Sequence, residues 1–189
     1  DQCPVCSPED IKNIADYLGI AAEEKEKMVA VIRCAGDGKN TERSLYNGIK
    51  DCRSAVLVAG GAKGCDYGCL GFGSCAEACP FGAIEIRDGL AVVIPEACVG
   101  CENCIATCPK DLIIMAPASV DTHVYCNSPE KGAAKRKVCK TACIGCRKCV
   151  KASEDDQMIV DGFLIRTNYD NPPEPSLVEA SACPTTALR

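Results

Sequence analysis

The pattern of apolar and polar residues predicts short helices and short strands, with no long regular element. Ser7 stands three residues before Asp10, which is a capping-box pattern, and Gly19 provides a helix stop. Four apolar residues between these signals share one helical face: Ile11, Ile14, Ala15 and Leu18. Farther along, residues 28–33 predict a strand, and residues 46–60 predict a second helix.

Beyond residue 64 the pattern changes to strand–turn–strand units separated by cysteine-rich loops. One hairpin is predicted around Asp88-Gly89, and a similar hairpin around Asp161-Gly162. Both lie in an internal repeat, because the C-x3-C spacing that begins at Cys65 recurs at Cys139 and each copy ends with a Cys-Pro pair. Two copies of one module are therefore predicted over residues 65–115 and 139–189.

Composition changes this picture through 18 cysteines in 189 residues. Such a density is typical of a disulfide scaffold or a metalloprotein, and the chain is more than twice as long as a usual secreted scaffold. Neither a membrane span nor a secretory signal is visible, and the net charge of −5 gives no general case for nucleic-acid binding. With His123 as the single histidine, His-based metal sites and Ser–His or Cys–His catalysis are disfavoured. A start at Asp1 without methionine is typical of a fragment or a processed form.

The clearest motif is the C-x2-C-x2-C-x3-C-P run over residues 98–109. This is the spacing of bacterial ferredoxins, in which three thiolates on a tight loop bind one cubane cluster and the fourth cysteine binds the other cluster. Zinc ribbons use two separated C-x2-C pairs, so zinc and disulfides are the weaker interpretations.

Both modules resemble two-cluster 4Fe-4S ferredoxins, and the resemblance implies crossed ligand sets. Two sets follow for the first module: Cys79, Cys98, Cys101 and Cys104 for one cluster, and Cys65, Cys69, Cys75 and Cys108 for the other. The second set departs from the family, because Phe72 occupies the middle ligand position and Cys65 is taken as the substitute. The alternative is that this cluster is absent or contains three irons.

The second module is predicted to bind a single cluster. Ser153 stands where the crossing cysteine belongs, and a proline-rich run over residues 171–177 replaces the second triplet. The retained cysteines would all serve one cluster: Cys143, Cys146, Cys149 and Cys183. Loss of one complete ligand set and retention of the other is what a single-cluster module requires.

Six cysteines remain outside these sets: Cys3, Cys6, Cys34, Cys52, Cys126 and Cys139. One interpretation is that they are buried or free thiols. The other is that four of them form a fourth site: Cys34, Cys52, Cys126 and Cys139. About twelve irons per chain would indicate three clusters, and about sixteen would indicate four.

Basic residues are concentrated within 18 positions of the second module: Lys131, Lys135, Arg136, Lys137, Lys140, Arg147 and Lys148. They form either a solvated surface loop or a docking patch for an acidic partner such as a small ferredoxin. The cysteine spacing beginning at Cys139 also matches radical S-adenosylmethionine enzymes, but too few residues follow it to build their barrel.

Motifs along nearly the whole chain resemble the B subunit of the Rnf complex, a membrane-bound, ion-pumping ferredoxin:NAD oxidoreductase. The residues that carry the resemblance are Cys3-Pro-Val, the helix over 11–18, the strand over 29–34, Asp51-Cys52, and the runs 60–65, 67–75 and 79–84. The resemblance implies reduced ferredoxin as donor, other subunits of the complex as partners, and a peripheral position on the cytoplasmic side of the bacterial inner membrane. It also implies that Cys3 is the last ligand of an upstream cluster domain, and hence an orphan in this chain.

The predicted fold is α+β, with short β-hairpins and short helices. A small N-terminal α/β segment (1–64) is followed by a two-cluster ferredoxin module (65–120) and a degenerate single-cluster module (121–189). The sequence carries no flavin or nicotinamide fingerprint, so the predicted function is relay of single electrons towards flavin or NAD subunits, without a substrate site of its own. The alternative is a free soluble polyferredoxin that serves several enzymes.

Overall fold

The structure is a computed structural model that describes residues 6–21, 26–36, 40–154 and 156–189. Cys3 and the prediction made for it lie outside these residues. The elements in chain order are α1 (Pro8–Leu18), β1 (Met28–Ile32), α2 (Cys52–Leu57), α3 (Ser74–Glu77), β2 (Ile84–Arg87), β3 (Leu90–Val93), α4 (Asn103–Thr107), β4 (Ile113–Pro117), α5 (Gly132–Val138), α6 (Lys148–Ala152), β5 (Met158–Asp161), β6 (Leu164–Thr167) and α7 (Ser176–Ser181). None of the described helices is long and apolar enough to cross a membrane.

The first helix begins and ends where the sequence predicts. The Asp10 N–H donates to Ser7 Oγ at 3.1 Å, and the Ser7 N–H donates to the Asp10 carboxylate at 3.2 Å, so the capping box is formed. Gly19 ends the helix in the left-handed region, at φ 66°. The second helix is shorter than predicted, because the Asp51 side chain accepts the Ser54 N–H at 2.7 Å and caps the helix there.

In the described parts of the chain the strands form three antiparallel pairs, and two of these pairs are short hairpins, as predicted. The hairpin β2–β3 pairs Ile84 with Val93, and β5–β6 pairs Met158 with Thr167, so the two hairpins have the same register. In the first hairpin Asp88 and Gly89 both have positive φ, as a two-residue turn requires. The second turn lies one residue later than predicted, between Asp161 and Leu164.

The third pair joins the N-terminal segment to the first ferredoxin-like module. Strand β1 pairs with β4, from Met28 opposite Pro117 to Ile32 opposite Ile113, and four of the five β1 residues are buried. The predicted boundary at residue 64 is therefore crossed by a sheet, and the segment before it packs into the same core as the cysteine loops.

Two hydrophobic clusters form the described core, and cysteine is a main component of both. Five of the fourteen buried residues in the first cluster are cysteines: Cys34, Cys69, Cys75, Cys98 and Cys104. The second cluster packs Cys126, Cys139 and Cys143 against apolar residues of β5 and β6. The thiol groups of these cysteines therefore lie inside the described core.

Candidate metal centres

One cavity brings together all four cysteines predicted for the second module: Cys143, Cys146, Cys149 and Cys183. The loop that carries the first three turns sharply at Gly145 (φ 67°) and Arg147 (φ 59°) before α6 begins. Burial, followed by the charges of the three other thiols, raises the pKa of Cys149 to about 11. Cys146 is exposed, so this cavity opens close to the protein surface.

A second cavity is lined by Cys52, Cys69, Cys75 and Cys108. Cys108 follows the 98–104 triplet but lines a cavity with the other loop, as the crossed scheme requires. Burial, then the charges of the other three thiols, raises the pKa of Cys75 to about 12. The structure differs from the prediction at one position, because Cys52 and not Cys65 completes this group.

Hydrogen bonds beside Cys75 explain why Cys52 enters this cavity. The Ser74 hydroxyl accepts the Cys52 N–H at 2.9 Å and donates to the Asp51 carboxylate at 2.8 Å. Phe72, which replaces the middle ligand of the family pattern, packs against Tyr46 with ring centroids 5.3 Å apart. The N-terminal segment therefore supplies both a thiol for the cavity and an aromatic contact for the residue that stands in the ligand position.

A third cavity contains Cys65 together with three of the cysteines left unassigned by the ferredoxin pattern, and is lined by Cys34, Cys65, Cys126 and Cys139. Burial and then the charges of Cys126 and Cys139 raise the pKa of Cys65. Compared with the predicted fourth site, Cys65 has taken the place of Cys52. The two cysteines are thus exchanged between the predicted sets.

The 98–104 loop forms the fourth group of thiols. Burial, followed by the charge of Cys98, raises the pKa of Cys104 to about 11, and Cys101 contributes in the same direction. Cys79 packs against the same hydrophobic cluster. Backbone N–H groups point at two of these sulfurs, from Ala30 to Cys98 and from Ala83 to Cys79, at 3.4 Å each.

Two features of these sites fit iron–sulfur clusters. Four thiols line each of three partly open cavities, and among the described residues no group of three or more His, Cys, Asp or Glu side chains is arranged to hold one metal ion. Backbone N–H groups also donate to sulfur at Cys79 and Cys98, and such donors are the contacts by which proteins tune iron–sulfur clusters.

Burial disfavours the thiolate form of most of these cysteines. Burial is the largest cause of the raised pKa of Cys34, Cys69, Cys75, Cys104, Cys126 and Cys149. Cys183 differs: burial raises its pKa, but N–H groups of Leu188, Thr185 and Ala187 together with the Thr185 hydroxyl outweigh burial and lower it. Iron bound to these groups would stabilise the thiolates that burial alone disfavours.

One residue of the predicted basic patch is buried, and the other six are exposed. Six of its residues are exposed: Lys131, Arg136, Lys137, Lys140, Arg147 and Lys148. Arg147 and Lys148 also line the cavity of Cys143. Lys135 is only 1% exposed and lines the cavity of Cys65, so it is not part of the surface patch.

The internal repeat indicates the position of Cys65 better than cysteine spacing does. In the repeat, Cys65 aligns with Cys139, and Cys139 is not needed by the second module once Cys183 is counted. Equivalent positions are expected to have equivalent roles, so Cys65 belongs with Cys139. Cys52 belongs to no cysteine-spacing motif, so spacing gives no signal that it joins Cys69, Cys75 and Cys108.

Similarity to known proteins agrees with this chemistry. Residues 64–112 match the 4Fe-4S dicluster domain. The chain is 40% identical over 172 residues to the B subunit of the Na(+)-translocating ferredoxin:NAD(+) oxidoreductase complex of Acetobacterium woodii, an alignment that covers 90% of this chain and 52% of that protein. It is 40% identical over 142 residues to the B subunit of the ion-translocating oxidoreductase complex of Methanosarcina acetivorans, covering 74% of this chain and 54% of that protein.

A third relative is the B subunit of the proton-translocating ferredoxin:NAD(+) oxidoreductase complex of Clostridium ljungdahlii, 38% identical over 130 residues, covering 68% of this chain and 46% of that protein. The chain spans about half the length of these curated relatives. The resemblance predicted from the cysteine spacing and the N-terminal motifs is thus confirmed. The chain contains a 4Fe-4S dicluster domain and is similar, over most of its length, to the B subunits of ion-translocating ferredoxin:NAD oxidoreductase complexes.

Proposed function

We propose that this chain relays single electrons from reduced ferredoxin towards the flavin and NAD subunits of a membrane-bound, ion-translocating complex, on the cytoplasmic side of the membrane. The observation that carries the proposal is the convergence of four thiols, from distant parts of the sequence, on each of two apolar cavities, together with the group of thiols in the 98–104 loop. Each bound 4Fe-4S cluster would supply a site that accepts and releases one electron.

Three ligand sets follow for the relay: Cys143, Cys146, Cys149 and Cys183; Cys52, Cys69, Cys75 and Cys108; and Cys79, Cys98, Cys101 and Cys104. The chain tunes these sites by burial, by N–H donors to sulfur, and by nearby positive charge. Lys63 supplies such a charge beside Cys69, where it opposes the increase in pKa that burial causes. Four cysteine ligands leave no open iron position, so the proposed role is electron transfer and not substrate chemistry.

Exposed apolar side chains favour a component of a larger complex over a freely diffusing ferredoxin. Large hydrophobic residues of the N-terminal segment are largely exposed, among them Tyr17 (91%), Leu45 (86%) and Leu57 (87%). Large apolar side chains with this exposure are candidates for burial at a contact with another subunit. Contacts with other subunits of the complex would bury them.

Anaerobic redox titration, monitored by electron paramagnetic resonance, tests the relay. We expect low-potential 4Fe-4S signals that appear when reduced ferredoxin is added, and co-purification of the full-length protein with membrane flavoprotein subunits. A protein without iron after oxygen-free reconstitution would contradict the proposal. Cluster reduction by ferredoxin without any association with membrane subunits would favour the free polyferredoxin.

The assignment of Cys52 gives a first testable prediction. We expect Cys52→Ser to lose about four irons per chain and the signal of one cluster, because serine replaces a thiolate of the cavity that holds Cys75. Iron analysis and electron paramagnetic resonance measure the loss, with Cys6→Ser as control because Cys6 is outside the ligand sets. If Cys65→Ser removed the same signal while Cys52→Ser left it intact, Cys65 and not Cys52 would be the ligand.

The exposed basic residues give a second prediction, for docking of an acidic ferredoxin. Replacing Lys137, Lys140, Arg147 and Lys148 by glutamine is expected to lower the rate constant for electron uptake from reduced ferredoxin about tenfold at low salt. At high salt the variant and the unsubstituted protein should converge, because screening removes the attraction.

Stopped-flow mixing at several ionic strengths measures this rate. The matched control replaces Lys12 and Lys50, which are exposed on the N-terminal segment, away from the patch in sequence. An equal loss of rate in the control, or no loss in the patch variant, would contradict a docking role.

A further inference from the structure

One cavity is lined by Cys34 of the N-terminal segment, Cys65 of the first module, and Cys126 and Cys139 of the second module. We define the two halves of the chain as the residues before and after residue 121. Cys34 follows β1, and Cys139 directly follows α5. Cys34, Cys126 and Cys139 are buried to 9%, 8% and 8% exposure, and Cys65 is half-buried. The four sulfurs form no disulfide and belong to none of the three ligand sets proposed for the relay.

Backbone N–H groups lie near one buried sulfur in each half. The sulfur of Cys34 accepts N–H groups from Gly36 and Cys69, each at 3.4 Å. Near the sulfur of Cys126, the backbone N–H groups of Ser128 and Cys143 oppose the increase in pKa that burial causes. Gly36 and Ser128 each lie two residues after the sulfur, and Cys69 and Cys143 are equivalent in the repeat. Cys65 and Cys139 are also equivalent in the repeat, so equivalent residues of the two halves line this one cavity.

Each half also directs one lysine to this site. Lys63 Nζ donates to the carbonyl oxygens of Gly36 at 3.4 Å and Gly89 at 2.5 Å. Lys135 Nζ donates to those of Ser128 at 3.1 Å and Phe163 at 2.8 Å. Gly89 and Phe163 are the same turn position in the two hairpins of equal register. The two ammonium groups are therefore held by matching carbonyl pairs, although the lysines lie at different places in the aligned sequences.

A negative charge nearby would stabilise the buried ammonium group of Lys135. The side chain is 1% exposed, and among the residues that the structure describes no carboxylate forms an ion pair with it. Carbonyl groups satisfy two of its N–H donors but do not neutralise an ammonium removed from water, which is costly to bury alone. Its charge lies close enough to Cys126 to oppose the increase in pKa that burial causes there.

We propose that this cavity holds a fourth 4Fe-4S cluster, bound by Cys34, Cys65, Cys126 and Cys139, which joins the two ferredoxin-like halves and is stabilised by the charges of Lys63 and Lys135. A cubane cluster with four thiolate ligands is an anion, so it supplies the charge that Lys135 lacks. Zinc with four thiolates is also an anion, but the described side chains form no group arranged around a single ion.

Backbone contacts link this site to both neighbouring cavities. Cys69, whose N–H donates to Cys34, also lines the cavity of Cys75. Cys143, whose backbone N–H acts on the pKa of Cys126, also lines the cavity of Cys183. The fourth site thus contacts one proposed ligand residue of each half. The inference of a fourth cluster rests on the proposed relay function. This cluster would connect the two halves for electron transfer.

Ligand substitution tests the fourth cluster in the whole chain. We expect the reconstituted protein to contain about sixteen irons, and Cys126→Ser and Cys65→Ser each to contain about twelve, with loss of one and the same paramagnetic signal. Cys6→Ser is the control and should keep the full iron content. About twelve irons in the unsubstituted chain, unchanged iron in both variants, or zinc in this site would overturn the inference.

The iron count also separates this inference from the proposed function. If three clusters are present and are reduced by ferredoxin, the relay stands and only the fourth site fails. If the chain binds no iron at all, both fail.

Lysine substitution tests the proposed charge stabilisation. We expect Lys135→Met to shift the reduction equilibrium of one cluster about tenfold towards the oxidised form, a potential about 59 mV more negative, while the others remain in place. Lys137→Met is the matched control, since Lys137 is exposed two residues farther along the same helix. If Lys135→Met does not fold, Lys63→Met gives a readout at a half-buried position. Because Lys63 acts on both Cys34 and Cys69, two potentials are then expected to shift. Unchanged potentials in a folded variant would overturn the role of the lysines.

Discussion

Removing the iron anaerobically with a chelator is expected to unfold both cores of the protein, with loss of most of the circular dichroism signal and of the cooperative thermal transition. Five of the fourteen buried residues in the first described core are cysteines, and their thiols surround cavities that clusters would fill. Without iron, those cavities leave the apolar side chains around them poorly packed. Structural metal sites contribute on the order of 10 kcal/mol to folding, comparable to the whole stability of a small domain.

Circular dichroism and thermal unfolding before and after chelation measure this effect, and reconstitution with iron and sulfide should restore both signals. The capped helix α1 offers an internal reference, because its capping hydrogen bonds involve Ser7 and Asp10 and no proposed ligand. A chelated protein that kept its full cooperative transition would show that the apolar packing alone maintains the fold.

The second large effect is expected for Gly71→Ala, which we predict to destabilise the protein by about 3 kcal/mol or more. Gly71 has φ 78°, and a Cβ atom there would lie 2.2 Å from the carbonyl oxygen of Gly89, which is backbone and has little freedom to move. The loop would have to separate from the β2–β3 turn, and Cys69 would be displaced with it. Thermal unfolding should therefore be accompanied by loss of iron from the cavity of Cys69 and Cys75.

Gly82→Ala is the matched control for this prediction. Gly82 also has a positive φ, 61°, but a Cβ atom there would have no neighbour within 4 Å. Only glycine's tolerance of positive φ is lost, which lowers the free energy of unfolding by about 1 kcal/mol. Iron content should stay the same. Equal destabilisation of the two variants would show that close approach to Gly89 is not what requires glycine at position 71.

Local signals in the sequence predicted local structure well. The capping box at Ser7 and the stop at Gly19 each depend on residues within one turn of a helix, so the sequence contains all the information needed. The hairpins were predicted from a turn and its alternating neighbours in the same way. Residues 46–60 were overpredicted as helix, because Asp51 caps a new helix inside this run.

The cysteine groups could be predicted only where a motif defines them. Cys143, Cys146, Cys149 and Cys183 follow the ferredoxin pattern, and the structure brings them together. Cys52 joins Cys75 through hydrogen bonds of Ser74 and Asp51, a contact between distant segments that no spacing indicates. The number of clusters and their ligands therefore stay predictions for iron analysis to decide.

Charge patterning in the sequence did not distinguish exposed from buried lysines. Lys135 was counted with the basic patch because its neighbours in sequence, Arg136 and Lys137, are basic as well. On α5, however, it faces the thiol cavity, while those two neighbours face solvent. A helix places successive residues about 100° apart, so a basic run can serve both a surface and an interior site.

Pairing between distant parts of the chain has a consequence for how the protein is made. Cys34 and Cys139 are more than 100 residues apart, and β1 needs β4 as its partner. The triplet at residues 98–104 can come together as soon as its loop leaves the ribosome. The four thiols of the cavity between the halves cannot come together until α5 and Cys139 have been synthesised. During that interval Cys34 and Cys65 have to stay reduced and unmodified. We therefore expect delivery of iron and sulfide to proceed in stages, with the interface between the halves filled late and exposure to oxygen during synthesis damaging that site first.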